Sequence, residues 1–216
     1  MTLTQEQIAQ FQTYGYLVVE NFFNPRETQA LRAEVERLQA DGMLRNVCTD
    51  GDGETPSQTK ANFQLCPMFQ DSTLFRALPF NTHVKEAISS LIGDPYILHL
   101  DQVFLKPAKS GVGTNWHQDN AYFQISTPLK GTAMWIAVHD ATVENGTIRL
   151  ISDRFNALLE HSRDPMSNHH IRCYPDESKA IDAVMPAGSV AFFCYGTPHA
   201  TGANQSESDR AGLAYH

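Results

Sequence analysis

The sequence contains no apolar run approaching the length of a membrane-spanning helix, and its opening, "MTLTQEQIAQF", lacks the basic start and apolar segment of a secretion signal. No membrane partner and a cytoplasmic location are therefore expected. Clusters of Lys and Arg are missing as well. With 16 such residues against 24 Asp and Glu, the formal net charge is -8, which argues against a nucleic-acid backbone or an anionic membrane surface as a partner. The four cysteines, Cys48, Cys66, Cys173 and Cys194, form no C-x-x-C pair, so neither a zinc knuckle nor a redox dithiol is indicated. Charged residues are 19% and hydrophobic residues 42% of the chain, the balance of a globular protein rather than a disordered one. At 216 residues the expectation is a single domain, 1–216, with a sizeable core.

What is present changes character along the chain. The first 95 residues read as mainly helical: "LTQEQIAQFQTYG" with Thr4 as cap, a short strand in "YLVVENFF", then "NPRETQALRAEVERLQADG". In that second helix Asn24 caps, Pro25 takes the first helical position, Glu27 completes a capping box and Gly42 ends the run. Residues 45–60 are polar and aperiodic, a surface loop. A further helix, "NTHVKEAISSLIG", precedes a β-rich remainder with strands expected over 96–106, 114–123, 132–139, 147–152, 169–174, 181–185, 189–195 and 210–215. This pattern predicts an α+β fold: a jelly-roll or cupin-like double-stranded β-helix over 96–216, with the N-terminal helices packed outside one sheet.

Nine histidines need sorting. His83, His99 and His139 stand alone in helix or strand patterns, where structural roles are the rule. His161, in a polar stretch, and His216, after the last strand, are expected in solvent. Adjacent His169 and His170 cannot chelate together from a strand, because neighbours face opposite ways, so a loop or surface role is expected. "NWHQDNAYF" differs: read as a strand, it places His117 and Asp119 on one face. A later run, "SVAFFCYGTPHATGAN", supplies His199. Two histidines and one carboxylate can hold non-haem Fe(II) while leaving positions for a chelating cosubstrate and dioxygen. Zinc hydrolases use the same donors, and a hydrogen-bonded core pair in a metal-free β-barrel binding module is the third reading. Arg210, eleven residues beyond His199, opens the last strand "RAGLAYH". It can offer a bidentate fork to a dicarboxylate, or it can answer Glu207 and Asp209 on the surface.

Taken together, "HQDNAYF", "VENGTIRLI", "PAGSVAFF" and "PHATGANQSESDRAGLAYH" resemble the phytanoyl-CoA dioxygenase family of Fe(II)- and 2-oxoglutarate-dependent oxygenases. The opening "FQTYGYLVVENFF" extends the likeness over nearly the whole chain. The resemblance implies a jelly roll in which His117, Asp119 and His199 hold Fe(II). It implies further that Arg210 anchors the distal carboxylate of 2-oxoglutarate, with Thr201 beside it and Trp135 packed near the cosubstrate. Halogenating relatives replace the metal carboxylate with a small residue, so Asp119 implies hydroxylation or a related oxidation, with C–H oxidation by O2 coupled to decarboxylation of 2-oxoglutarate. Two departures stand out. After "ENG" many relatives continue into a Pro-Gly-Ser-His segment, whereas this chain reads "TIRLISDRFN". Relatives also often run on past the equivalent of His216, so an active-site cover or an oligomer contact is expected to be missing here.

Substrate contacts are expected among Gln102, Gln118, Asn120, Tyr122 and Phe123, which lie in or near the strands of the triad, although alternate members should merely pack. This mixed polar and aromatic set suits a small metabolite, of the kind found in specialised biosynthesis, and no basic cluster speaks for a CoA thioester. Monomer and homodimer both remain open.

Overall fold

The computed structural model describes residues 2–152 and 155–216. Asp153 and Arg154, within the departing segment "TIRLISDRFN", lie outside the described residues.

Local signals set the helices. Helix α1 (Gln5–Tyr14) carries a capping box built by Thr4 and Gln7, and α2 (Pro25–Ala40) carries one built by Asn24 and Glu27 with Pro25 in its first turn. Helix α3 (Thr73–Ala77) is capped by Ser72, and α4 (Thr82–Ile92) by Asn81. The helical turn α5 (Asn120–Phe123) stands among the strands.

Three strands lie in the first part of the chain: β1 (Tyr16–Val19), β2 (Arg45–Asn46) and β3 (Phe63–Leu65). Then follow β4 (Asp101–Lys106), β5 (Thr114–His117), β6 (Thr132–Ala137), β7 (Ile148–Leu150), β8 (Ser162–Arg163) and β9 (Ile171–Arg172). The series ends with β10 (Ile181–Asp182), β11 (Val190–Cys194), β12 (His199–Thr201) and β13 (Arg210–Tyr215). A seven-stranded sheet has the order β1-β11-β6-β13-β4-β3-β2, and a four-stranded sheet the order β10-β7-β12-β5. All the pairings within them are antiparallel.

Side-chain alternation explains the layers. On β6, Met134 and Ile136 face one way and join Phe11, Leu31, Leu38 and Phe75 of the helices in one core. Ala133, Trp135 and Ala137 face the other way and pack with Ile148 and Leu150 of the small sheet. The helices thus cover the outer face of the large sheet, and the two sheets enclose a second core, as the α+β reading predicts.

The division near residue 95 is less clean than the sequence suggests, because β1, β2 and β3 extend both edges of the large sheet. The polar stretch 45–60 is also tied down, with Cys48 bridging Ser167 and Thr49 bridging Pro56. Strand 96–106 is shorter than expected, starting at Asp101, while β3, β8 and β12 are strands whose brevity left no periodic signal.

His139, just past β6, accepts the Ala211 N–H at Nδ1 (3.1 Å). Burial pushes its pKa below the ordinary histidine value, and Arg32 adds to the effect. A histidine with a depressed folded-state pKa contributes stability that is present above its unfolded value, about 6.5, and lost as pH falls through the folded value. The melting temperature should therefore fall on acidification below about pH 6.5. His139→Gln, which keeps an acceptor but cannot titrate, should flatten that fall; an unchanged pH profile in melts from pH 8 to 5 would show the group to be silent.

Candidate metal centre

Strands β5 and β12 are neighbours in the small sheet, with His117 and His199 directly opposite each other. Their rings lie 4.1 Å apart, centroid to centroid. Each ring is oriented by its Nδ1, which approaches the Asn115 carbonyl oxygen at 2.9 Å and the Thr197 carbonyl oxygen at 3.0 Å. A carbonyl only accepts, so the proton resides on Nδ1 and each Nε2 turns a free lone pair inward. Oδ1 of Asp119 lies 3.9 Å from Nε2 of His117 and 3.7 Å from Nε2 of His199. Two donors each about 2.1 Å from one ion are at most about 4.2 Å apart, so these separations fit a shared metal ion. Among the described residues, these three form the one cluster of this kind.

The protonation states suit a metal as well. Burial drives the pKa of His117 down to about 3, helped by His199, and burial lowers His199 too. Burial opposes ionisation of Asp119, yet His199, His216 and His117 together hold its carboxyl well below the usual range. Neutral imidazoles beside a carboxylate are the forms that ligate.

How His117 and Asp119 converge differs from the expectation of one strand over 114–123. Strand β5 stops at His117, and Asp119 has helical backbone angles at the start of α5. Long-range bonds to the loops around residues 157–161 and 195–196 cause the break. The Gln118 side chain donates to the Ala157 and Gly196 carbonyl oxygens and accepts from Leu159 N–H, while Asn120 N–H donates to the Tyr195 carbonyl oxygen. Gln118 is consequently buried structure rather than a substrate contact. Asn120 is spent in the same way, bonded through its side chain to both backbone groups of Ile125. Gln102, Tyr122 and Phe123 do line the cavity beside the triad, which has a volume of about 650 Å³. Tyr122 uses its hydroxyl to accept the Ile171 N–H.

Deeper in the same cavity lies a pair of cations. Arg210 on β13 and Lys106 on β4 are directly opposite in register, and both are almost wholly buried, at 1% and 2% exposure. Among the described residues neither has a carboxylate partner. Arg210 instead donates to the carbonyl oxygens of Asn145 (3.3 Å) and Gly146 (2.5 Å), and its guanidinium lies 5.5 Å over the Trp135 ring. Lys106 Nζ donates to Thr201 Oγ1 at 2.6 Å and to the Gly202 carbonyl oxygen at 2.5 Å. Burial pushes Lys106 well below its ordinary pKa, with Arg210 adding to the effect, and burial brings Arg210 down to about 10. Like charges set opposite one another across buried strands are unfavourable on their own; the arrangement is that of an anion site.

The "ENG" turn serves this pair. Asn145 closes the turn through Thr142 N–H and the Asp140 carbonyl oxygen, and Gly146 has φ +75°. A Cβ at Gly146 would meet the Gly202 carbonyl oxygen at 2.2 Å, so only glycine permits the approach of these two backbones. The surface reading of Arg210 is thereby overturned.

Two histidine expectations also change, whereas His169 and His170 lie in a loop as expected. His216 is not in solvent: its side chain is 5% exposed, with Nε2 3.4 Å from Oδ2 of Asp119. His161 is part of the scaffold, its Nε2 accepting the Gln118 N–H at 3.1 Å. His169 and His170 border the cavity mouth, where His170 Nε2 sits 3.2 Å from the Gln64 side-chain nitrogen. Lys106, Gln64 and His216 line the same cavity, a place that sequence reasoning did not give them. Alternation alone places Lys106 on the inner face with Phe104, and His216 on the same face as Arg210.

A two-histidine, one-carboxylate cluster beside a buried cation pair, between the sheets of an antiparallel sandwich, defines a metal-site protein with an anion pocket. The chain belongs to the phytanoyl-CoA dioxygenase (PhyH) family, whose model matches residues 11–212. Ectoine dioxygenase of Stutzerimonas stutzeri (strain A1501) is 24% identical over 234 residues, covering 99% of this chain and 76% of that protein. Among solved structures, the non-haem alpha-ketoglutarate-dependent carbocyclase SnoK from nogalamycin biosynthesis superposes with a TM-score of 0.81 at 21% identity, covering 99% of this chain and 83% of the other. EctD from S. alaskensis, solved with 2-oxoglutarate and 5-hydroxyectoine, gives 0.77 at 19% identity, with coverages of 99% and 76%. No helix among the described residues is long and apolar enough to cross a membrane.

Proposed function

We propose that the protein is an Fe(II)- and 2-oxoglutarate-dependent dioxygenase that hydroxylates, or otherwise oxidises, an unactivated C–H bond of a small-molecule metabolite, releasing succinate and carbon dioxide. Residues 1–216 are taken as one oxygenase domain on a jelly-roll core, acting in the cytoplasm. The observation that carries the reading is the uncompensated Lys106–Arg210 pair sharing a cavity with the triad. A dicarboxylate reaching from metal to cations satisfies both sites at once.

In this reading His117, Asp119 and His199 hold Fe(II), which with 2-oxoglutarate and O2 supplies the oxidation. Arg210 and Lys106 receive the far carboxylate, Trp135 stacks on the guanidinium, and Thr201 fixes the Lys106 ammonium. Gln102, Tyr122 and Phe123, with Gln64 and His170 at the mouth, orient the substrate over the metal. Retention of Asp119 favours hydroxylation over halogenation.

Two rivals use the same triad differently. A zinc hydrolase leaves the cation pair without a purpose, and a metal-free binding module leaves three inward-facing donors without one. Anaerobic titration of metal-free protein with Fe(II) and 2-oxoglutarate separates all three. The expected result is the weak visible charge-transfer band of an iron-chelated 2-oxo acid. Folded protein that binds zinc but gives no such band supports the hydrolase, and protein that takes up no metal supports the module.

A further inference from the structure

We propose that His216 is a positioning residue for the metal carboxylate: its Nε2–H holds Oδ2 of Asp119, so that the carboxylate presents Oδ1 alone to the metal. This inference rests on the iron site proposed above.

The two oxygens of Asp119 have separate surroundings. Oδ1 faces Nε2 of both His117 and His199. Oδ2 faces away from them toward His216, 3.4 Å distant, and is buried without any other polar partner among the described residues. A bare, buried carboxylate oxygen is costly, and a donor at this place answers it.

The imidazole is built into position. His216 N–H donates to the Leu100 carbonyl oxygen (2.8 Å), and the His216 carbonyl oxygen accepts the His99 N–H (2.7 Å), which continues the β13–β4 pairing by one residue. Its ring stands against Phe123 and Tyr195, with centroid separations of 5.4 and 6.1 Å. Nδ1 is buried with no hydrogen-bond partner among the described residues. A proton on Nδ1 alone would be stranded there, whereas a proton on Nε2 meets the carboxylate. The surroundings therefore select the Nε2–H form.

The consequence concerns the count of open positions. On an octahedral ion, two imidazoles and one carboxylate oxygen would occupy three of six positions, leaving three for a two-atom chelate and dioxygen. A carboxylate bound through both oxygens would occupy a fourth, and a chelating cosubstrate would then exclude dioxygen. Holding Oδ2 off the metal preserves that last position.

The test uses Co(II) as a spectroscopic probe of the folded, metal-free protein, comparing wild type with His216→Gln and His216→Phe. Losing an outer hydrogen bond to a ligand typically weakens metal binding about 10- to 100-fold. The expected result is that weakening in His216→Phe, with a changed Co(II) d–d spectrum in the 2-oxoglutarate complex, and recovery toward wild type in His216→Gln, which retains a donor. Wild-type affinity and spectrum in His216→Phe would overturn the proposal. Should that variant fail to fold, the Zn(II)-loaded wild type decides by nitrogen-15 NMR. A protonated Nε2 on His216 supports the proposal, and an unprotonated or metal-bound Nε2 sinks it. Wild type that takes up no metal is a different failure, because it removes the iron site itself and this inference with it.

Discussion

Asp119→Ala is expected to bind Fe(II) at least about 100-fold more weakly than wild type and to form succinate only at background level. The lower bound comes from comparison: losing a mere outer hydrogen-bond partner of a ligand already costs about 10- to 100-fold, and Asp119 is placed as a ligand. The same substitution should leave the metal-free fold intact. Asp119 makes no capping bond to α5, and among the described residues its Oδ2 meets only His216 Nε2, at a long 3.4 Å, so removing it takes away a buried, poorly satisfied charge. The metal-free variant should therefore melt no lower than wild type. His199→Ala should match it in the loss of iron. Persistence of both iron binding and succinate formation in Asp119→Ala would overturn the assignment of the triad.

The second large effect is a divergence between binding and stability. Removing one partner from a buried charged contact costs about 2–5 kcal/mol, so Arg210→Ala should raise the KM for 2-oxoglutarate by roughly 30- to 5,000-fold, at about 1.36 kcal/mol per tenfold. Lys106→Met should weaken 2-oxoglutarate in the same direction. Without ligand, however, Lys106→Met should melt higher than wild type, because it relieves an uncompensated buried ammonium facing a guanidinium. Wild type should gain thermal stability on adding 2-oxoglutarate, by mass action on the folded state, and both variants should lose most of that gain. A melt of the three proteins with and without 2-oxoglutarate decides the matter: a Lys106→Met protein that is less stable alone, yet stabilised by ligand as wild type is, would show that the cation pair is structural.

The parts of this molecule that were legible in sequence are those whose causes are local. Capping residues announced α1 and α2, the run "NTHVKEAISSLIG" announced α4, and β-rich runs between turn signals announced β4, β6, β11 and β13. The three donors and Arg210 were legible as residue types at suggestive spacings, together with a resemblance. The geometry that unites them was not, because it depends on pairings between distant segments. His117 and Asp119 come together through a strand that breaks, and the break is enforced by bonds from residues 118 and 120 to residues 157, 159, 195 and 196. Lys106 was overlooked because a lysine in a strand is ordinarily exposed. Only the opposing Arg210 gives its burial a meaning. The place of His216 after the last strand reads as solvent-exposed, although the alternation of "RAGLAYH" puts it on the inner face with Arg210.

The order of strands in the large sheet carries a consequence for how the protein is made. Strand β13 lies between β6 and β4, yet of all the strands in that sheet it is the last to be synthesised. While it is still inside the ribosome, β4 and β6 cannot be joined, and each presents an unpaired edge with apolar residues such as Val103, Leu105, Met134 and Ile136 beside it. Such long-range pairing is slow, and the waiting chain is open to false partners. A message truncated before the codon for Arg210 should thus yield, rather than a smaller protein with a weakened anion pocket, two half-sheets with no keystone, a substrate for chaperones and proteases.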